Sequence, residues 1–279
     1  MARRARVTVR PAAETGVARI AAAFAAAPGR AALMPYLMGG FPDVEASVAV
    51  GIAYAEAGAD LVELGVPFSD PLADGPVIHA AGTRALAAGA TVHAVLEAGA
   101  RIAEHVPVVL MCYANPLLAR GAERFAGELA GRGISGLIVP DLPLEESAEV
   151  LAACDAAGVA FVPLVAPTTQ DPRMAAIGAS ARGFVYTVSV TGTTGERAAV
   201  EDHLSGLLAR VKAHSEVPVA LGFGISTGAQ AAAAAAAGAD GVIVGSRLVR
   251  AVAEAADAGR DPAAAAGAAV AELARALVR

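Results

Sequence analysis

Lysine is almost missing from this chain: Lys212 stands alone among 21 lysines and arginines. Only two cysteines occur, Cys112 and Cys154, both in apolar segments without metal-ligand spacing, so they read as small buried hydrophobes. The five histidines (His79, His93, His105, His203 and His214) fall in loop-like or helix-like segments rather than at the ends of strand-like runs. A basic stripe is absent and the net charge is −6, which argues against a nucleic-acid partner. No stretch of roughly 18 residues is apolar and uncharged, so no membrane span is expected. The basic opening "MARRARVTVR" lacks a following apolar segment and reads as a frayed terminus rather than a targeting signal. A soluble, cytoplasmic protein is therefore expected.

What the chain has in quantity is apolar sequence, 56% of residues, enough for a large core. Eight short runs recur: "LMPYLM" (33–38), "LVEL" (61–64), "PVVLMC" (107–112), "GLIVP" (136–140), "AFVPLV" (160–165), "GFVYTVSV" (183–190), "PVALGFG" (218–224) and "GVIVGS" (241–246). Each is nearly continuously apolar, as parallel strands covered on both faces must be. Alanine-rich helical segments separate them, several ending in Ala-Gly-Ala-Asp or Ala-Gly-Val-Ala, which fit helix C-caps leading into the next strand. This alternation predicts an α/β fold, a (β/α)₈ TIM barrel in one domain over 17–279, with an extra helix at its N-terminal end and residues 1–16 as an extension. A doubly wound open sheet is the alternative.

In a barrel, function belongs where strands end and βα loops begin. Three such ends are glycine-rich: Gly192 and Gly195 in "SVTGTTGER", Gly222 and Gly224 in "GFGIS", and Gly245-Ser246 ahead of a helical segment. Glycine lets backbone N–H groups approach an anion, and a helix N-terminus adds a favourable dipole, so a phosphate site is expected there. Glu63, near the end of the second strand, should point into the barrel mouth among Leu61, Leu64, Tyr36 and Tyr186, with its pKa raised by burial. By itself it fits either an acid/base or a buried Glu paired with an Arg or Tyr. Asp70 and Asp74 by themselves read as loop-capping residues. Lys212 falls on a helix entering the seventh strand, the wrong face for a Schiff-base aldolase, and the histidines are not placed to hold an aldolase metal. Carboxylate acid/base chemistry on a phosphorylated substrate, without cofactor, remains.

The stretch "ELGVPFSDPLADGP" (63–76) closely resembles the signature of the tryptophan synthase alpha subunit. "PYLMGGFPD", "YANPLL", "VPDLPLEES", "SVTGTTGER", "LGFGIS" and "VGSRLV" match that family's other blocks in order, and the resemblance runs from about residue 17 to the C-terminus. It implies a (β/α)₈ barrel that cleaves indole-3-glycerol phosphate to indole and glyceraldehyde 3-phosphate. It also implies a PLP-dependent beta subunit as partner, likened to an α2β2 assembly, with no cofactor in this chain. By motif position, Glu63 matches the family's general acid/base and Asp74 the carboxylate that binds the indole N–H. Gly195, Gly224, Gly245 and Ser246 match its phosphate turns, and Thr194 the loop residue that closes over Asp74. Tyr36, Met111, Ile138, Leu164, Tyr186 and Phe223 fall where the family lines its indole pocket, and Asp70 and Asn115 where it meets the beta subunit.

The sequence departs from the family pattern at Phe41, where an acidic residue is common, and at Val77 and His79, where Thr and Gln are frequent. Rival readings are a stand-alone lyase releasing free indole, a non-catalytic activator of a beta subunit, and another phosphate-binding barrel such as an isomerase or epimerase. Intact Glu63 and Asp74 argue against the second.

Overall fold

The computed structural model describes residues 14–27, 29–188, 197–222 and 224–278, with the backbone alone for 197–203. Nine parallel strands form one sheet: β1 (Ala32–Met38), β2 (Val62–Gly65), β3 (Val108–Met111), β4 (Gly136–Ile138), β5 (Ala160–Phe161), β6 (Leu164–Val165), β7 (Val185–Val188), β8 (Val219–Gly222) and β9 (Gly241–Val244). Their order is β5-β4-β3-β2-β1-β9-β8-β7-β6. The two outermost strands, β5 and β6, are consecutive halves of the single expected strand 160–165, interrupted at Val162-Pro163. Proline has no N–H to give a ladder, so the pairing changes sides there. Before it, Val162 N–H donates to Leu137 O (2.9 Å); at it, Pro163 O accepts from Tyr186 N–H (3.0 Å). The same segment thus bonds β4 on one flank and β7 on the other, and the curled sheet is an eight-stranded barrel. The open-sheet alternative is set aside.

Strand alternation divides the apolar residues into two layers. Leu61, Val109, Ile138, Val162, Phe184, Ala220 and Ile243 fill the barrel interior, while Val62, Leu64, Leu110, Leu137 and Val242 pack outward against the helices. Leu64 consequently faces away from the side of β2 that carries Glu63, contrary to the sequence expectation, and Leu61 alone of that pair shares its side.

The helix Gly16–Ala25 supplies the expected extra N-terminal element and plugs the bottom of the barrel. Thr15 caps it through its side chain, so the ordered helix starts one residue before the expected boundary at 17. Ile20 and Phe24 join the interior layer, with the Phe24 and Phe184 rings 5.9 Å apart. Gly136 and Gly241 leave room for them: a Cβ at either would lie about 3.1 Å from the Ile20 or Phe24 side chain. Arg19 locks the plug by donating to Gly133 O and Ala103 O, both at 2.6 Å, at the carbonyl ends of two neighbouring helices.

The repeated Ala-Gly-Ala-Asp unit does more than end a helix. Gly58 and Gly238 take left-handed φ values of 98° and 103°, as C-cap glycines do. The aspartate that follows clamps the start of the adjacent strand. Asp60 accepts from Leu33 N–H (2.8 Å) and pairs bidentately with Arg30; Asp240 accepts from Val219 N–H (2.8 Å) and pairs with Lys212 (2.7 Å). The only lysine is thereby fixed at the strand-start face, as its sequence position indicated. Both cysteines are buried and free.

These clamps differ in exposure, and their energetics should differ with it. Asp60 is 11% exposed and Asp240 38%. Asp60→Ala should cost about 2–3 kcal/mol of unfolding free energy, and Asp240→Ala about 1 kcal/mol or less. Urea unfolding of the two variants checks this; equal losses, or a larger one at Asp240, would contradict it.

Candidate active site

At the C-terminal end of the strands lies a cavity of about 400 Å³, bounded by the ends of β1, β2, β3, β7 and β9 and by the loops after β2 and β8. Two tyrosines wall it, and glycines make their placement possible. A Cβ on Gly65 would stand 2.0 Å from the Tyr36 hydroxyl, and one on Gly222 would stand 2.4 Å from that of Tyr186. Gly222, expected as part of a phosphate turn, is therefore needed for the fit of Tyr186.

Glu63 projects from β2 into this cavity and is only 2% exposed. Its Oε1 has no hydrogen-bond partner among the described residues. Burial pushes its pKa up to about 8, and the nearby Asp74 charge adds to the rise. Among the described residues no Arg side chain or Tyr hydroxyl is hydrogen-bonded to Glu63.

Asp74 reaches the same cavity from the loop after β2. Its Oδ1 accepts from the Tyr113 hydroxyl at 3.0 Å, and that hydroxyl in turn accepts from Ala73 N–H at 3.0 Å. The Tyr113 ring, buried and stacked on Phe68 at 5.3 Å, pins the loop to the end of β3. Burial raises the Asp74 pKa, while the Tyr113 hydrogen bond and the proximity of His79 pull it down. Two carboxylates thus face one cavity in unlike surroundings, one dry and unpaired, the other half-buried and hydrogen-bonded.

The opposite wall presents a glycine turn and a helix N-terminus. Gly224 takes a left-handed φ of 77°, and Gly245 is the N-cap of the helix Ser246–Asp257, with no side chain occupying that cap. Gly224, Gly245 and Ser246 all line the cavity. Unpaired amides at a helix N-terminus attract phosphate through both hydrogen bonding and the helix dipole.

Tyr36, Met111 and Tyr186 line the cavity as expected. Ile138 does not: it is fully covered in the barrel interior. Leu164 instead lines a neighbouring cavity of about 320 Å³ with Pro140, Pro143 and Pro163, because the break at Pro163 carries β6 toward that side. Thr194, Gly195 and Phe223 lie outside the described residues. Asp70 and Asn115 are exposed, on the loop after β2 and the helix Ala114–Leu118. Sequence reasoning missed Tyr113, Ile78, Ser226, Arg247 and Arg250. Tyr113 stands inside the quoted "YANPLL" block, Arg247 inside "VGSRLV" and Arg250 directly after it, but neither block reveals which side chains reach the cavity or Asp74. Phe41, one of the departures, is buried beneath the Arg84 guanidinium, 4.9 Å above its ring.

Comparison with known proteins identifies the family. The family described as Tryptophan synthase alpha chain matches residues 23–278. The chain is 52% identical over 232 residues to the tryptophan synthase alpha chain of Prochlorococcus marinus (strain MIT 9313), covering 82% of this chain and 84% of the relative. It is 48% identical over 223 residues to that of Methanosarcina acetivorans, covering 80% and 81%. Among solved structures, the tryptophan synthase subunit alpha of Legionella pneumophila superposes with a TM-score of 0.87 at 35% identity, covering 95% of this chain and 99% of that one. A Mycobacterium tuberculosis tryptophan synthase chain gives 0.84 at 42% identity, covering 93% and 98%. With the family match spanning residues 23–278 and the fold in agreement, this chain belongs to the tryptophan synthase alpha chain family, whose members cleave indole-3-glycerol phosphate.

Proposed function

We propose that Glu63 and Asp74 divide between them the proton transfer and charge stabilisation of indole-3-glycerol phosphate cleavage, with the substrate phosphate on Gly224, Gly245 and Ser246. The observation that carries this reading is the buried, unpartnered Glu63 carboxyl facing Asp74 across a cavity that ends in a helix N-terminus. Cleaving the bond between indole C3 and the glycerol C3′ requires an electron sink. The indole ring becomes one when C3 takes a proton, leaving positive charge at the ring nitrogen. Glu63, protonated at neutral pH by virtue of its burial, donates that proton. Asp74, whose carboxylate form the Tyr113 hydrogen bond favours against the effect of burial, faces the cationic nitrogen. The Glu63 carboxylate then takes the proton from the C3′ hydroxyl, the carbon–carbon bond breaks, and its electrons return to the ring. Indole and glyceraldehyde 3-phosphate leave, and Glu63 is protonated again. On the strength of the resemblance, Gly195 completes the phosphate turns, Thr194 the closing loop and Phe223 the indole pocket, and no cofactor is assigned to this chain.

The family implies a beta-subunit partner, and an α2β2 assembly in the cytoplasm is part of this proposal. No helix among the described residues is long and apolar enough to cross a membrane. Leu72 is 90% exposed and Leu118 54%, beside Asp70 and Asn115 on the two loops that Tyr113 ties together. A partner seated on that apolar surface would touch the loop that carries Asp74.

Three outcomes test these assignments. Glu63→Gln should abolish indole release while keeping glycerol 3-phosphate affinity within a few fold. Because the native Glu63 binds its proton more tightly than the unfolded chain does, wild-type stability should fall as pH rises from about 4.5 to about 8. Glu63→Gln should lack that dependence and be a few kcal/mol more stable at alkaline pH. Unfolding curves across this range check the sign, and a Gln variant that cannot fold would mark Glu63 as structural.

Tyr113→Phe removes a hydrogen bond to the ionised form of Asp74, so the acid limb of kcat/KM should move to higher pH. About a tenfold loss is expected near neutrality. An unmoved limb would deny Tyr113 its positioning role. For the partner, glyceraldehyde 3-phosphate release by the isolated chain should be slow and should rise with added beta subunit. Leu72→Asp should weaken that stimulation, and equal rates with and without the partner would favour a stand-alone lyase.

A further inference from the structure

The helix Ser246–Asp257 begins with an imbalance of charge. Its first turn contains no acidic residue, although a helix N-terminus favours one, and two arginines lie within its first five positions. Both line the cavity. Arg247 is committed elsewhere: it donates to Ser226 O (2.9 Å) and pairs with Glu272 (2.5 Å). Arg250 has no carboxylate within ion-pairing distance among the described residues; it is exposed and lines both this cavity and the smaller one beside Phe41 and Arg84. Four positions after Ser246, it lies on the same helix face one turn along. Helical side chains lean toward the N-terminus, so its reach is back over the amides of Gly245 and Ser246. The opposite wall supplies a second, independent observation: the buried Oε1 of Glu63 faces the same cavity with no hydrogen-bond partner among the described residues.

Resting on the phosphate placement above, we propose that Arg250 is a substrate-binding residue that pairs with the phosphate dianion held by the helix N-terminus. The amides provide hydrogen bonds and a partial positive charge, which does not balance two full negative charges. Arg250 supplies the missing whole charge. The cavity then has a sign at each end, cationic at the phosphate and acidic at the ring, which fixes the direction in which a substrate enters.

The test compares wild type, Arg250→Gln and Arg250→Lys, using glycerol 3-phosphate as probe and indole-3-glycerol phosphate as substrate. For Arg250→Gln, glycerol 3-phosphate Kd and substrate KM should rise about tenfold with kcat within about twofold. The slope of affinity against salt should become shallower, and Arg250→Lys should recover most of the loss. Unchanged Kd and salt slope in the Gln variant would overturn the inference, as would a fall in kcat alone. The two readings separate cleanly. Wild-type protein that cleaves the substrate but binds it no better than Arg250→Gln defeats only the role of Arg250. Wild type that binds no glycerol 3-phosphate defeats the phosphate placement itself.

Discussion

Moving the Glu63 carboxyl out of water costs free energy that no hydrogen bond to Oε1 offsets. The group meets that cost by holding its proton, and a proton held near neutral pH is what general acid chemistry needs. Strand alternation places Glu63 there: two residues beyond Leu61 on β2, it occupies the next layer up inside the barrel, where interior packing gives way to the cavity. Tyr36 and Tyr186 keep that layer dry, and they do so because Gly65 and Gly222 lack side chains.

The remaining parts of the site answer to the same constraint. Burial raises the pKa of Asp74, and the Tyr113 hydroxyl opposes that rise while also holding Ala73, so the loop's position and the acid's titration are tied to one group. The wall opposite the carboxylates combines the helix N-terminus at Gly245 and Ser246 with the side chains of Arg247 and Arg250, while the single lysine is committed to a strand-start clamp.

Much of this was legible in the sequence. Near-continuous apolar runs gave the parallel strands, and the helix-terminating glycines gave the boundaries, because both follow from local backbone chemistry. Glu63 stood out as a charge in an apolar strand. Other features depend on distant pairs. The Tyr113–Asp74 bond spans 39 residues, and the split at Pro163 became apparent only when its two halves were seen pairing with different neighbours. Leu64 was misplaced by reading adjacency in sequence as adjacency in space, since consecutive strand residues face opposite layers. Ile138 and Leu164 came from motif position; both pack in the barrel-interior layer with Met111 and Tyr186.

The most direct measurement is the protonation state of Glu63 itself, followed through its carboxylic C=O stretch by infrared difference spectroscopy between wild type and Glu63→Gln. A protonated carboxyl signal present at pH 7 and lost as pH passes about 8 is the result expected from its burial. A signal already absent at pH 6 would mean that Glu63 is ionised in the resting protein, and the division of labour between the two carboxylates would not hold.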